Sequence, residues 1–409
     1  MKKLALALLL SIITLPATAY VYRSQKGNDY CNASYSSIRP PLVAGVTVAT
    51  LKTNAAIVAD VTALFRQLIG DNKCLLPAPA PAPAPAPMPM PMPMPMPMPM
   101  PTNSFMPMVD TSANILPAIG NSTLRVAPAT ELPSVSDIGA LRVVCAPSHM
   151  SNDDPLVYQN QQGAAHHHTF YGNTSLNYAS DLNVLSTIGN STCSGGIMNR
   201  SAYWVPSMID TVTNKPVVPD FAIFYYKSGY IVPKEFIKTP PVGLRMIAGD
   251  PKATSEATSS NAFFTCAGRT PFYGWKTSIP ACNVGENMAM EVIFPQCWNG
   301  KDLDYPNHKS HMAYSSNDLT TANKCPTTHP IAIPQITFNF NFKVTATNNP
   351  SAWRLASDNY DRSLPAGYSG HGDYIEGWSA GFLDGIVKNC LNGGLDGHAS
   401  LLCDGRMFY

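Results

Sequence analysis

Charge is what this 409-residue chain has least of. Lys, Arg, Asp and Glu together make up 13% of it, against about 25% in ordinary soluble domains. The formal net charge is +1. Electrostatic capture of nucleic acid needs a clustered basic surface, so that class of partner is excluded. Beyond residue 15 there is no long apolar run, which leaves no membrane-spanning segment after the N-terminus. No two cysteines stand in a C-x-x-C pair, which argues against a zinc ribbon or a thioredoxin-type redox site. There is no Walker loop, no Gly-x-Ser-x-Gly elbow, no His-Glu-x-x-His helix and no EF-hand loop. Nucleotide chemistry, common serine hydrolysis and zincin proteolysis therefore lack support.

What the chain has instead is aromatic: 18 Tyr, 15 Phe and 5 Trp. Low charge with many aromatics fits a β-rich extracellular protein whose polar surface is mostly Ser, Thr and Asn. The N-terminus agrees. Lys2 and Lys3 precede an apolar run from Leu4 to Leu15, too short to span a bilayer, and Ala17-Thr18-Ala19 matches a small-x-small cleavage site. Residues 1–19 read as a signal peptide rather than a retained anchor, with no membrane attachment after cleavage and a secreted (extracellular or periplasmic) destination. All 10 cysteines follow it. An even number in an exported chain predicts up to five disulfides; the count does not fix their pairing, and joining sequence neighbours is the simplest arrangement.

Residues 20–74 read as a small helical module bracketed by Cys31 and Cys74. Ile57, Val58, Val61, Leu64, Phe65, Leu68 and Ile69 recur at helical spacing, predicting an amphipathic helix over 53–69 that ends at Gly70. A local cap is the simpler role; oligomerisation through 53–69 is the alternative. Residues 75–138 read as a disordered linker, opening with Ala-Pro and then Met-Pro repeats. Prolines at every second position predict an extended polyproline-II spacer. The seven methionines from Met88 to Met100 would suit Cu(I). A threefold helix scatters them around its axis, however, and the prolines resist the bend that convergence requires.

The main domain is expected over 139–409, mainly β, as an antiparallel β-sandwich or jelly roll with few helices. Its apolar segments are short and β-branched or aromatic: Leu141–Val144, Phe221–Tyr226, Met290–Phe294 and Ile336–Phe342. The last alternates with period two and should bury Phe338, Phe340 and Phe342 on one face. Helical pattern is confined mainly to 377–389.

Chemistry concentrates in four places. The densest is Asp153-Asp154-Pro155 followed by His166-His167-His168. On an extended segment, His166 and His168 share a face and His167 points away, so His167→Ala should be nearly silent. A second group is His308-Lys309-Ser310-His311, expected on a loop. A third is His371-Gly372-Asp373, expected in a Gly-flanked turn at the mouth of the C-terminal helix. A fourth is Arg245, as an anion ligand or a buried ion pair. The candidate catalytic set is His166, His168, Arg245, His308, Lys309, His311, His371 and Asp373. Tyr171, Tyr203, Trp204, Trp298 and Trp378 are the candidate substrate-stacking residues. His166, His168, His308, His311 and Asp373 offer nitrogen and oxygen ligands suited to Zn or Cu, or else form a metal-free acid/base cluster.

From about residue 141 to Cys390 the chain resembles the domain-of-unknown-function family numbered nineteen ninety-six, secreted proteins of fungi and bacteria. The residues that carry the resemblance are Asp154-Pro155-Leu156-Val157-Tyr158, the 163–173 stretch, Ser201 to Pro206, Gly243 to Asp250, Phe294 to Gly300, His308 to Tyr314, Cys325 to Pro330 and His371 to Trp378. The family's Ser-His-Leu-His maps onto Ala165 to His168, so His166 and His168 match it and His167 is this chain's own. Trp298-Asn299-Gly300 departs from the family's Trp-Asp-Gly. The resemblance implies secretion and one shared site, and it supplies no reaction. The residues favour a carbohydrate-active protein, a polysaccharide hydrolase or lyase working at a His-rich cleft, with an extracellular glycan as partner. The alternative is a non-catalytic glycan- or metal-binding surface protein held out on the proline spacer.

Overall fold

The computed structural model describes residues 105–408 apart from 270, 271 and 273. The expected signal peptide, the helix expected at 53–69 with Cys31 and Cys74, and the Ala-Pro and Met-Pro repeats lie outside the described residues. Two large sheets organise the rest. Their strands in chain order are β1 (Ser134–Val135), β2 (Ala140–Cys145), β3 (Pro147–Ser151), β4 (His168–Gly172), β5 (Ala202–Pro206), β6 (Phe221–Lys227), β7 (Arg245–Gly249), β8 (Ala262–Ala267), β9 (Asn287–Ile293), β10 (Gln335–Lys343), β11 (His371–Ile375) and β12 (Leu395–Gly397). The five-stranded sheet runs β7-β11-β5-β4-β3 and the seven-stranded sheet β8-β9-β10-β6-β2-β12-β1. Every pairing is antiparallel except β2 with β12.

The expected sandwich is what forms. Phe338, Phe340 and Phe342 alternate inward on β10. The rings meet across the gap between the sheets: Tyr203 on β5 lies 4.1 Å from Phe224 on β6, and Tyr171 on β4 lies 5.5 Å from the same ring (centroid distances). Gly372 on β11 faces that gap, where a Cβ would meet the Phe338 ring at 3.1 Å. Helices are few. The C-terminal pattern appears as Ala380–Ile386, continued by a π-helical turn over Val387–Leu391. Among the described residues no helix is long and apolar enough to cross a membrane.

The described cysteines pair between sequence neighbours: Cys145–Cys193, Cys266–Cys282, Cys297–Cys325 and Cys390–Cys403. Four disulfides fit an extracellular protein.

The lead-in differs from expectation. Residues 105–138, read above as the end of a disordered linker, lie strapped along the domain. Val126–Pro128 pairs with Arg406–Phe408, and Ser134–Val135 pairs with β12. Ala118 N–H donates to the Ser148 carbonyl, and Asn121 exchanges backbone bonds with Ser191. The prolines that suggested disorder merely lack donors. The residues between them carry the bonds.

Candidate functional site

A five-stranded sheet with one face in the core has a second face to dispose of. Register fixes what stands there. His168 on β4 lies opposite Pro206, and Phe170 opposite Trp204. Asp373 on β11 also lies opposite Trp204 from the other side, and His371 lies opposite Gly249 on β7. Residues directly opposite share a face, so His168, Phe170, Trp204, Asp373, His371, Ile375 and Ile247 all point away from the main core. Phe170, Trp204, Ile247 and Ile375 form a second apolar cluster with Leu156, Leu176 and Leu185 from the covering loops. The histidines and carboxylates are set into the edge of that cluster and covered with it. His168 is 0%, Asp373 1%, His371 3% and Asp154 4% exposed. His166 is half-buried.

Hydrogen bonds orient each group. His168 Nδ1 donates to the Asp153 carbonyl at 2.9 Å, and His371 Nδ1 donates to the Ser369 carbonyl at 2.8 Å. A carbonyl only accepts, so both rings carry their proton on Nδ1 and turn a bare Nε2 inward. His166 Nε2 lies 3.2 Å from His371 Nε2. One ligand atom from each of His166, His168 and His371 lies within 4.8 Å of the other two; the same holds for Asp154, His168 and Asp373. His168 belongs to both groups. Asp154 accepts from the Leu156 and Val157 N–H groups on one oxygen. Among the described residues eight buried side-chain atoms have no hydrogen-bond partner, and two of them, His168 Nε2 and Asp373 Oδ2, belong to this cluster. Such atoms normally cost about 1–3 kcal/mol each.

Burial sets the charge states. Desolvation pushes His168 down to about 3 and His371 down to about 4, helped for His371 by the neighbouring His168. The same cause holds His166 well below the usual imidazole value. It pushes the Asp373 carboxyl well above the ordinary range and raises Asp154 as well. Three neutral imidazoles thus face two carboxyls that favour holding protons.

The remaining candidates divide. Lys309 reaches the rim, its ammonium donating to the Gly249 carbonyl at 2.8 Å, and its charge acts on His371 and Asp373. His308 and His311 do not join the imidazole cluster. His308 pairs with Asp304 at 3.0 Å, and His311 is buried with Nε2 donating to the Arg245 carbonyl at 2.6 Å. Of the ligand set expected from His166, His168, His308, His311 and Asp373, the structure brings His166, His168 and Asp373 together, and His371 stands where the second loop pair was placed. Arg245 takes the ion-pair role, 3.4 Å from Asp304. His371 and Asp373 sit on a strand and not in a turn. Gly372 between them is explained by the crowded gap above, not by a bend.

The stacking residues change most. Tyr171, Tyr203, Trp204 and Trp378 are each 0–1% exposed and belong to the two cores, so none presents a ring to a ligand. Trp298 is half-buried with its indole N–H on the Asp302 carbonyl. Asn299, where the family has Asp, caps its own turn by accepting from the Lys301 and Asp302 N–H groups. Its amide also donates to Asp302 Oδ2 at 2.8 Å, a bond a carboxylate could not make; none of these contacts reaches the cluster. His167 does face away, as alternation predicts. It is fully engaged there, with Nδ1 2.9 Å from Ser207 Oγ and Nε2 2.9 Å from Asn114 Oδ1. Its loss is therefore expected to lower stability, not to be silent. A third acidic-cysteine group, Cys266, Cys282 and Glu286, offers no ligand set, because the cysteines form a disulfide and Glu286 holds Arg269.

The family model for a domain of unknown function, DUF1996, matches residues 154–378, more than half of the chain. The chain belongs to the DUF1996 family. No curated protein and no solved structure matches it. The matched span of this DUF1996 chain opens on Asp154 and closes just after Asp373, so it contains every member of the cluster. Sequence reading missed Asp154 as a site residue, although the Asp153-Asp154 pair was visible. Adjacent carboxylates on an irregular loop carry no signal for which one turns inward.

Proposed function

We propose that this protein is a secreted polysaccharide hydrolase or lyase whose reacting groups are Asp154, His166, His168, His371, Asp373 and Lys309. The observation that carries the reading is the pair of orphaned, buried, uncharged atoms, His168 Nε2 and Asp373 Oδ2. A fold keeps such atoms without partners where something else is to meet them. Hydrolysis and elimination both need a base, a proton donor and a positive centre for developing negative charge. The two carboxyls, raised by burial, and the neutral imidazoles serve the proton steps. The Lys309 ammonium supplies a positive centre at the rim. Stacking on sugar rings passes from the buried tyrosines and tryptophans to the exposed Tyr158 and Tyr305. These lie on the loops that carry Asp154 and His308.

The test is incubation of the secreted mature protein with a panel of neutral and acidic polysaccharides, with products resolved by mass. Turnover of one class is expected, lost in Asp373→Asn and His168→Ala. No product from any polymer, with divalent metals supplied, overturns the reading. One observation favours a non-catalytic binder instead: only His166 of the cluster is more than slightly exposed. Binding of a glycan without turnover in the same panel would select that reading.

A further inference from the structure

We propose that the Nε2 atoms of His166, His168 and His371, with Asp373 Oδ2, form a binding site for one first-row divalent cation of the Zn²⁺ type. The inference goes beyond the reading above and does not depend on a glycan substrate.

Distance is the first ground. Two imidazole nitrogens on one tetrahedral zinc at about 2.0–2.1 Å stand about 3.3–3.4 Å apart. His166 Nε2 and His371 Nε2 are 3.2 Å apart, and the third imidazole lies within 4.8 Å of both. Asp373 Oδ2 is 3.9 Å from His371 Nε2. The set therefore needs only small side-chain movements to close on a cation.

Tautomer is the second ground. A ligating histidine offers one bare nitrogen and gives its other N–H to a carbonyl or carboxylate, which fixes the ring. His168 and His371 both do this, through the Asp153 and Ser369 carbonyls. Their Nε2 atoms are committed as lone-pair donors. Without a cation, the short His166–His371 contact requires His166 to donate its Nε2 proton. With one bound, that proton shifts to Nδ1, and His166 is half-buried, at the outer side of the cluster.

Satisfaction is the third ground. His168 Nε2 and Asp373 Oδ2 are orphaned, within residues at most 1% exposed. They lie with Asp154 in the second close group. A cation on the imidazoles satisfies both at once. Nitrogen-rich donors with one carboxylate select Zn²⁺ or Cu²⁺ over Ca²⁺ or Mg²⁺, which take oxygen.

The support behind His371 is also built. Ser369, whose carbonyl holds the ring, donates its hydroxyl to Asp358 at 2.6 Å. Asp358 is 0% exposed and also accepts from the Leu355 and Gly367 N–H groups. Gly249, at φ +84°, lets β7 lie so close that any Cβ there would strike His371.

Metal content decides the matter. The full secreted chain, stripped with chelator and titrated with ZnCl₂ in a calorimeter, is expected to take up about one equivalent and to unfold at a higher temperature when loaded. His168→Gln and His371→Gln are each expected to weaken binding by more than about 100-fold, beyond what outer-shell partners cost. His149→Ala, on the same sheet face but outside the cluster, and His308→Ala keep wild-type affinity. Far-UV circular dichroism certifies each variant as folded. Should either glutamine variant misfold, cobalt(II) loading of the wild type gives the same answer, because nitrogen ligation has a distinct absorption spectrum. A folded wild type that binds no Zn²⁺ or Cu²⁺ overturns the site. So does binding that survives both glutamine variants. Turnover on glycans enters neither outcome.

Discussion

Strand β11 joins two buried polar clusters, one on each face of its sheet, and the two are built to opposite rules. On the inner face Tyr203, Tyr226 and Tyr374 join hydroxyl to hydroxyl at 2.8 and 3.2 Å. Trp378 Nε1 donates to Tyr226 at 2.9 Å, Asn199 bonds Tyr203, and Tyr374 donates to Glu376. Every hydroxyl there has a partner, so the network binds the two sheets together and offers nothing to a ligand. On the outer face, a few ångströms of backbone away, the His–Asp cluster leaves His168 Nε2 and Asp373 Oδ2 bare. The two clusters are equally buried and unequally satisfied: one closes on itself and joins the sheets, the other leaves acceptor atoms on β4 and β11 for a ligand.

Four substitutions sharpen or break this contrast. The largest effect is expected from His168→Ala, which should lower any glycan turnover by about 10²–10⁴-fold, the range for a lost acid–base group. Its cooperative unfolding transition should remain. A variant that unfolds outright would place His168 with the structural network.

Next is the pH dependence of the inner network. Burial pushes Glu376 up to about 7 from a usual 4.5. A raised folded-state value means its contribution is fully present below about 4.5 and lost as pH rises through about 7. The loss is of order 3 kcal/mol. Glu376→Gln should flatten that part of the stability curve, read by urea denaturation at pH 5 and pH 8. A curve unchanged by the substitution would mean the carboxyl titrates normally.

Tyr226→Phe comes third. It strips one hydroxyl from three partners and should cost about 1–3 kcal/mol without moving Zn²⁺ affinity. Coupling between the two faces would show as weakened zinc binding. The smallest effect is expected from His167→Ala, about 1 kcal/mol from two lost neutral hydrogen bonds, with turnover unchanged. Lost turnover in a stable His167→Ala would put that ring in the reacting set.

Much of the fold was legible because it rests on short-range pattern. The period-two run from Ile336 to Phe342 became an interior strand of the larger sheet, facing as alternation required. The same period told His166 and His168 from His167. Other features were illegible for identifiable reasons. His371-Gly372-Asp373 has the same alternation, but its glycine read as a turn. Gly372 is there because Phe338, 34 residues earlier, fills the space of a Cβ. Tyr171, Tyr203, Trp204 and Trp378 are amphipathic, and nothing local distinguishes a ring that lines a cleft from one that seals a core.

By itself, then, the sequence determined the class of fold and the side-chain alternation that brings two histidines to one face, while the cysteine pairing was settled by the structure. The fold class and the alternation follow from periodicity along the chain. Only the tertiary structure decided which histidine completes the cluster. In sequence both His308 and His371 are catalytic candidates, but only His308 reads as a ligand. The order β7-β11-β5-β4 carries β11 to within one strand of β4, while the 299–311 loop is held outside by the Arg245–Asp304 pair and the His311 hydrogen bond. Strand order is a global minimum over the whole chain, and no local pattern encodes it.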